Sequence, residues 1–114
     1  SDMPSINEPR AMIQRLGELK MGMRNAMVEG LISKPVEVGE VTTSSGENVT
    51  RAVTTLADDT GEVQVVAWRE AVEKLADLQP GSVVRLRWVT VRANSFDGKL
   101  GVVVTGNTEV EVQK

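Results

Sequence analysis

From residue 26 onward the chain consists of short segments rich in valine and other apolar residues, alternating with polar ones in places and separated by turn residues. A period of two is typical of β-strands, because successive side chains of a strand point to opposite faces of the sheet. The pattern therefore predicts strands over residues 26–36, 49–57, 63–68, 82–92 and 99–105, with residues 108–112 as a candidate extension of the sheet.

Turn residues divide these strands. The sequence DDTG at residues 58–61 predicts a tight turn, because Asp side chains bond the neighbouring backbone and glycine readily takes a positive φ. Residues 49–68 are therefore predicted as a hairpin. Pro35 is expected to end the first strand or to mark a sheet edge. Residues 42–48 are polar and contain Gly46, which predicts a flexible loop.

Two segments follow the helical period instead. Residues 7–19 are predicted as a helix, because Asn7 can cap it and Pro9 suits its first turn. Its apolar face would consist of Met12, Ile13, Leu16 and Leu19. Residues 69–78 are predicted as a second helix, which Pro80-Gly81 would end. The apolar face of that helix would consist of Ala71, Val72, Leu75, Ala76 and Leu78.

The predicted order of three strands, a helix and two strands is that of a five-stranded Greek-key OB barrel. An SH3-like barrel is the main rival, but it lacks a full helix between its third and fourth strands. We therefore predict an all-β OB-fold domain over residues 24–114. Residues 4–23 would form an N-terminal helix and lead-in that covers one end of the barrel. Residues 1–3 are interpreted as a cloning remnant.

Composition excludes several kinds of chemistry. The chain has 114 residues, enough for one domain, and contains neither cysteine nor histidine. It therefore has no disulfide, thiol nucleophile, Cys/His zinc site or His-based triad. No phosphate-binding glycine loop leads into a helix, so we expect no enzymatic activity, no metal and no cofactor. The apolar runs are short and no signal peptide opens the chain, so we expect a cytoplasmic protein with no membrane partner.

Charge is distributed unevenly along the chain, whose net charge is −3. Residues 57–79 hold six acidic and two basic side chains, whereas residues 82–104 hold four basic side chains and one acidic. A local excess of positive charge attracts an anion even on an acidic protein. The basic segment is therefore a candidate anion-binding surface, although a solvated face of mixed charge explains it equally well.

Four segments, in order and with matching spacing, resemble the OB domains of archaeal replication protein A and related single-stranded DNA-binding proteins. They are LKMGM at residues 19–23, LADDTGEVQVVAW at 56–68, LQPGSVVRL at 78–86 and VRANSFDGKL at 91–100. The similarity covers residues 16–112. It implies binding of single-stranded DNA in replication and repair, a nucleoid-associated location, and a stacking role for Trp68.

The aromatic residues Trp68, Trp88 and Phe96 are the candidates for base stacking. If Val63, Val65 and Ala67 point inward, alternation places Trp68 on the outer face of its strand. Phe96 lies with Asn94 in a polar loop, where a large apolar side chain is poorly placed for a core. Trp88 shares its phase with Val84 and Leu86, which favours the core. Val89 and Val91 are also apolar and are expected in the core, although they have the opposite phase. We therefore predict a β-bulge near Arg87 and Trp88.

Basic residues are the candidates for contacts with a nucleic-acid backbone, because arginine both clamps phosphates and stacks on bases. They are Arg51, Arg85, Arg87, Arg92 and Lys99. We thus expect a domain that binds single-stranded DNA, or RNA, with little sequence preference. Asn94 and Phe96 would belong to its binding site. Other subunits of a replication protein are candidate partners. The alternative is an OB-fold protein-interaction module of a replication or repair assembly.

Overall fold

The computed structural model describes residues 12–93 and 98–113. Within these ranges there are eight strands: β1 (Ile13–Gln14), β2 (Ala26–Ile32), β3 (Glu37–Thr42), β4 (Asn48–Asp58), β5 (Gly61–Trp68), β6 (Val83–Ala93), β7 (Leu100–Val104) and β8 (Glu109–Gln113). Two 3-10 helices accompany them, Leu16–Glu18 before β2 and Arg69–Lys74 between β5 and β6.

Five of the strands close into a barrel. β2 pairs with β4, β4 with β5, β5 with β7, β7 with β6, and β6 returns to β2. All of these pairs are antiparallel except β5 with β7. β3 extends the sheet from β4, and β8 extends it from β6. The predicted OB-fold barrel, including the hairpin of β4 and β5, is confirmed.

The inside of the barrel is filled by one face of each strand. On β5 the inward side chains are Val63, Val65 and Ala67, as the sequence predicted. β6 contributes Val84 and Leu86 to the same core. Burial of these apolar side chains is the main stabilising contribution to a barrel of this size.

In the described residues, a shorter 3-10 helix takes the place of each predicted helix. The helix predicted over residues 7–19 is wrong over its described part, which forms β1 and a three-residue 3-10 helix. Leu16 and Gly17 donate their N–H groups to Asp58 and Thr60 in the β4–β5 turn, and not to carbonyls of a preceding helical turn. Residues 7–11 lie outside the described part of the chain.

The helix predicted over residues 69–78 is a 3-10 helix that ends at Lys74. Trp68 precedes it without a side-chain cap, and i to i+3 spacing brings Val72 and Leu75 together over the core. The first 3-10 helix contacts the start of β5, where Gly17 bonds to Thr60, and the second directly follows the end of β5. No helix in residues 12–93 and 98–113 has the length and apolarity needed to cross a membrane.

The first predicted strand, over residues 26–36, ends early, at Ile32. A linker containing Pro35 leads into β3, a strand that was not predicted. Because proline has no N–H group for a ladder, it separates β2 from β3 as expected. Residues 43–47 then form a closed hairpin turn, in which the Thr43 N–H donates to the Glu47 carbonyl at 2.8 Å.

Asp58 ties the N-terminal lead-in to the β4–β5 turn. Its Oδ2 accepts the Leu16 N–H at 2.9 Å, and its Oδ1 accepts the N–H groups of Thr60 and Gly61 at 2.7 and 3.1 Å. Burial alone would raise the pKa of Asp58, but these hydrogen bonds and that of the Thr60 hydroxyl lower it below its ordinary value. The ionised carboxylate therefore stabilises the folded state.

We expect this contribution to be complete at neutral pH and to be lost as the pH falls below the ordinary aspartate pKa of about 3.9. The melting temperature of Asp58→Asn should therefore fall less steeply than that of the unmodified protein between about pH 5 and pH 3. Equal slopes for Asp58→Asn and the unmodified protein would contradict this account.

Candidate nucleic-acid interface

Trp68 lies at the end of β5 on the outer surface of the barrel. Its side chain is 38% exposed, so the predicted outward orientation is confirmed. Arg51 is its Cα partner on β4, and the guanidinium carbon lies 5.7 Å from the centroid of the indole ring. This cation–π contact is worth about 0.5–1 kcal/mol at an exposed site and fixes the ring beside a positive charge.

Two cross-strand rows continue this outer face from Trp68 along β4, β5 and β7. The first row is Val53, Val66 and Val103, and the second is Thr55, Gln64 and Gly101. A Cβ at Gly101 would lie 3.1 Å from the Gln64 carbonyl oxygen, so glycine allows β7 to approach β5 closely there. The face thus combines a flat apolar strip with polar side chains.

A groove runs over this face, and we call it the β4–β5 groove. Its larger part has a volume of about 430 Å³ and is lined by residues of β3, β4 and β5, including Gly39, Arg51 and Val53. A second part of about 240 Å³ shares Lys34, Thr55 and Gln64 with it and reaches Lys99. The shared residues join the two parts into one open channel.

Charges of both signs border the β4–β5 groove. Lys34, Arg51 and Lys99 lie along it, and the Thr54 hydroxyl anchors the backbone at Lys34 by donating to its carbonyl at 2.8 Å. Glu37 and Glu40 line the side formed by β3, and Glu62 lines the second part together with Lys99. The carboxylates of β3 would repel a phosphate, so an anionic chain is directed away from β3 and toward Lys34 and Arg51.

The β3–β4 turn is held next to Trp68 by an ion pair. Arg69 directs both terminal nitrogens at the carboxylate of Glu47, at 2.8 and 3.2 Å. Hydrogen bonding and the positive charge of Arg69 lower the pKa of Glu47, and Glu47 in turn raises the pKa of Arg69. Arg69 also has a φ of 56°, which turns the chain sharply after Trp68. The turn and the ring are thereby fixed relative to each other.

The structure separates the predicted basic residues. Arg51 and Lys99 border the β4–β5 groove, whereas Arg85 and Arg87 lie where β6 pairs with β2 and β8. There the side chain of Arg85 pairs with Glu29 at 2.9 Å, and that of Arg87 pairs with Glu111 at 2.9 Å. These cross-strand pairs neutralise two of the four bases in the basic segment.

Three further predicted site residues are Arg92, Asn94 and Phe96. Arg92 is exposed near the end of β6, one strand beyond Gly101 in the row that starts at Thr55. Asn94 and Phe96 fall outside the described residues, so their roles stay predictions. Arg92 thus lies at the margin of the face that carries Trp68.

The prediction that Trp88 belongs to the core is wrong, although the predicted bulge is present. Ala26 pairs with Val89 and Met27 with Arg87, which leaves Trp88 without a partner on β2. Its φ of 66° turns the side chain outward, where it is 43% exposed, while Val89 returns to the core. A bulge shifts the phase of a strand by one residue. Val84 and Leu86 before the bulge and Val89 and Val91 after it can therefore all point into the core.

Lys34 and Thr55 were not among the predicted site residues. Thr55 could have been found from the hairpin register, because it faces Gln64 on the same outer side as Trp68. Lys34 carried no such signal, since the path of the β2–β3 linker depends on tertiary packing. Across the described part of the chain, no group of three or more Asp or Glu side chains is arranged to hold a metal ion.

Comparisons with known proteins agree with this geometry. The sequence profile of the OB-fold nucleic acid binding domain matches residues 37–113. Replication factor A of Methanothermobacter thermautotrophicus is 29% identical over 105 residues, which is 92% of this chain and 13% of that protein. The chain therefore spans only a small part of the length of this relative.

Solved structures show the same fold. The replication factor A related protein of Methanobacterium thermoautotrophicum superposes with a TM-score of 0.74 at 28% identity, covering 94% of this chain and 96% of that one. A replication protein A heterotrimer bound to single-stranded DNA superposes with a TM-score of 0.70 at 17% identity, covering 94% of this chain and 26% of that one. The chain belongs to the OB-fold nucleic acid binding domain family and is homologous to archaeal replication factor A.

Proposed function

We propose that this domain binds single-stranded nucleic acid, DNA in the first place, with little sequence preference. The observation that carries the proposal is the exposed Trp68 ring, held against Arg51 at one end of the β4–β5 groove. Every base has a π-face, so stacking on an indole ring contributes affinity without reading the sequence. Lys34, Arg51 and Lys99 would contact the phosphates along the groove.

The relatives support this proposal. The archaeal relative is named replication factor A, and the structural neighbour with a TM-score of 0.70 was solved with single-stranded DNA. We infer that this domain acts on strands exposed during replication and repair, in the cytoplasm at the nucleoid, alongside other subunits of a replication protein. Its role is that of a binder and not of an enzyme.

The proposal is tested by titrating a fluorescent oligo-dT with the domain at several salt concentrations. Three cations along the groove predict that log K falls with log salt at a slope of about −2, since each contact with a single strand contributes about −0.7. A variant with Lys34→Ala should show a shallower slope, whereas Lys20→Ala, which lies outside the groove, should not. Absence of binding at low salt, or an affinity that salt leaves unchanged, would contradict the proposal.

A protein-interaction module is the second candidate function, and the edge strand β8 favours it. β8 pairs with β6 alone among the described strands, and it presents Val112, which is 61% exposed, beside Glu109 and Glu111. An exposed strand edge can pair with a strand of another chain. Failure of the oligo-dT titration, combined with a partner that protects β8 amides from exchange, would favour this function.

A further inference from the structure

A second cleft lies on the far side of β7, where the N-terminal lead-in runs beside β6. We call it the β6 cleft. It has a volume of about 350 Å³ and is lined by Met21, Gly22, Arg24, Thr90, Val91, Arg92 and Ala93. The lead-in is fixed to β6 by two backbone hydrogen bonds, from the Gly22 N–H to the Val91 carbonyl at 3.0 Å and from the Val91 N–H to the Met23 carbonyl at 2.8 Å.

The β6 cleft carries two arginines that have no ion pair among the described residues. Arg24 and Arg92 are both exposed, in contrast to Arg85 and Arg87, whose charges are matched by carboxylates. Met21 adds an apolar wall that is 60% exposed. The two guanidinium groups can bind phosphates of a nucleic-acid backbone, and the apolar side chain beside them can contact a base.

Trp88 stands next to the β6 cleft. Burial alternates over residues 88–92, so Trp88, Thr90 and Arg92 all point outward on β6. Trp88 takes a φ of 66°, a strained conformation for a bulky residue. Its carbonyl accepts the hydroxyl of the fully buried Thr108 at 2.9 Å, so the strained backbone is anchored to the core. The fold thus displays an exposed aromatic ring on an anchored stretch of backbone.

Arg92 connects the β6 cleft to the β4–β5 groove. The row of Cα partners runs from Thr55 through Gln64 and Gly101 to Arg92. At a strand spacing of about 4.8 Å, the path along the sheet from Thr55 to Arg92 is about 14 Å. A single strand that leaves the groove near Lys99 can therefore continue over β7 to the arginines.

We propose that the β6 cleft and Trp88 form a second contact region for the same single-stranded nucleic acid, which winds from the β4–β5 groove over β7 and onto β6. This inference rests on the proposed function, and it adds a binding region outside the groove. Arg24 and Arg92 contact phosphates, and Trp88 stacks on a base. Short oligonucleotides occupy the groove alone, whereas long ones reach both regions.

Intrinsic fluorescence tests this directly, because the chain contains only two tryptophans. In Trp68→Phe the remaining indole is Trp88. Site sizes of OB folds range from about 4 to 16 nucleotides, so oligo-dT of about 5 and about 20 nucleotides separate the two regions. We expect the longer oligonucleotide to quench Trp88 and the shorter one to leave it unchanged.

Affinities of two variants complete the test. Trp88→Gly removes the ring and relieves the positive φ, so the domain should stay folded. We expect it to weaken binding of the longer oligo-dT by about 5-fold or more and to leave the shorter one unaffected. Arg24→Ala should reduce the salt slope for the longer oligo-dT by about 0.7, whereas Lys20→Ala, which removes a neighbouring positive charge outside the cleft, should not.

The outcomes separate this inference from the proposed function. If Trp68→Ala weakens binding of both oligonucleotides while Trp88→Gly and Arg24→Ala match the unmodified protein at both lengths, the second region is refuted and the groove stands. If the unmodified domain binds neither oligonucleotide, both proposals fail. A length-dependent loss in Trp88→Gly, with an unchanged melting temperature, supports the second region.

Discussion

Trp68→Ala is expected to lower the affinity of the domain for oligo-dT by about 5- to 150-fold, which corresponds to roughly 1–3 kcal/mol of base stacking. The ring lies on the outer face of β5 against Arg51, at the end of the β4–β5 groove. Removing it takes away the flat apolar surface but leaves the groove cations in place. The remaining binding should therefore keep its dependence on salt.

Stability distinguishes a stacking role from a packing role at this position. Trp68 is partly exposed, so Trp68→Ala should cost about 1 kcal/mol of unfolding free energy, compared with about 3–5 kcal/mol for a buried tryptophan. Trp68→Phe keeps an aromatic face and should retain most of the affinity. A Trp68→Ala protein that melts far lower, yet binds oligo-dT normally once folded, would refute the assigned role.

Gly30→Ala is expected to destabilise the domain by roughly 1–3 kcal/mol. Gly30 lies on β2, close to the point where that strand passes from β6 to β4 to close the barrel. A Cβ there would lie 2.5 Å from the Ala57 carbonyl oxygen and 3.0 Å from Cγ of Leu56. Because the first obstacle is backbone, relief requires the strands to move apart at the closure.

Unfolding in denaturant measures this effect, and Gly39→Ala is the matched control on β3. No heavy atom of the described residues lies within 4 Å of the position that a Cβ would occupy there. We therefore expect Gly39→Ala to be neutral or slightly stabilising, since alanine restricts the unfolded chain. Equal midpoints for the two variants would show that the barrel closure tolerates the added methyl group.

The barrel could be predicted from the sequence because its strands obey a local rule. Val63, Val65 and Ala67 alternate with Gln64, Val66 and Trp68, and the DDTG turn at residues 58–61 fixes the register of the hairpin. That register alone places Trp68 outside and opposite Arg51. The site is therefore predictable as far as it depends on one hairpin.

Features that depend on contacts between distant segments escaped prediction. Leu16 falls on a helical face in the sequence, but its N–H is taken by Asp58, 42 residues away. Trp88 shares the phase of Leu86, and only the pairing of β6 with β2 decides which residue is extruded at the bulge. Arg85 was predicted to contact a nucleic-acid backbone, but in the structure it forms an ion pair with Glu29 of β2.

The central claim is that single-stranded nucleic acid occupies the β4–β5 groove. Amide chemical-shift mapping of the ¹⁵N-labelled domain with oligo-dT of about 5 nucleotides tests it most directly. We predict that the shifts concentrate at Arg51, Thr55 and Gln64 and at the indole N–H of Trp68, while the amides of β8 stay unchanged. Shifts confined to β8, or spectra that do not change on adding the oligonucleotide, would contradict the claim.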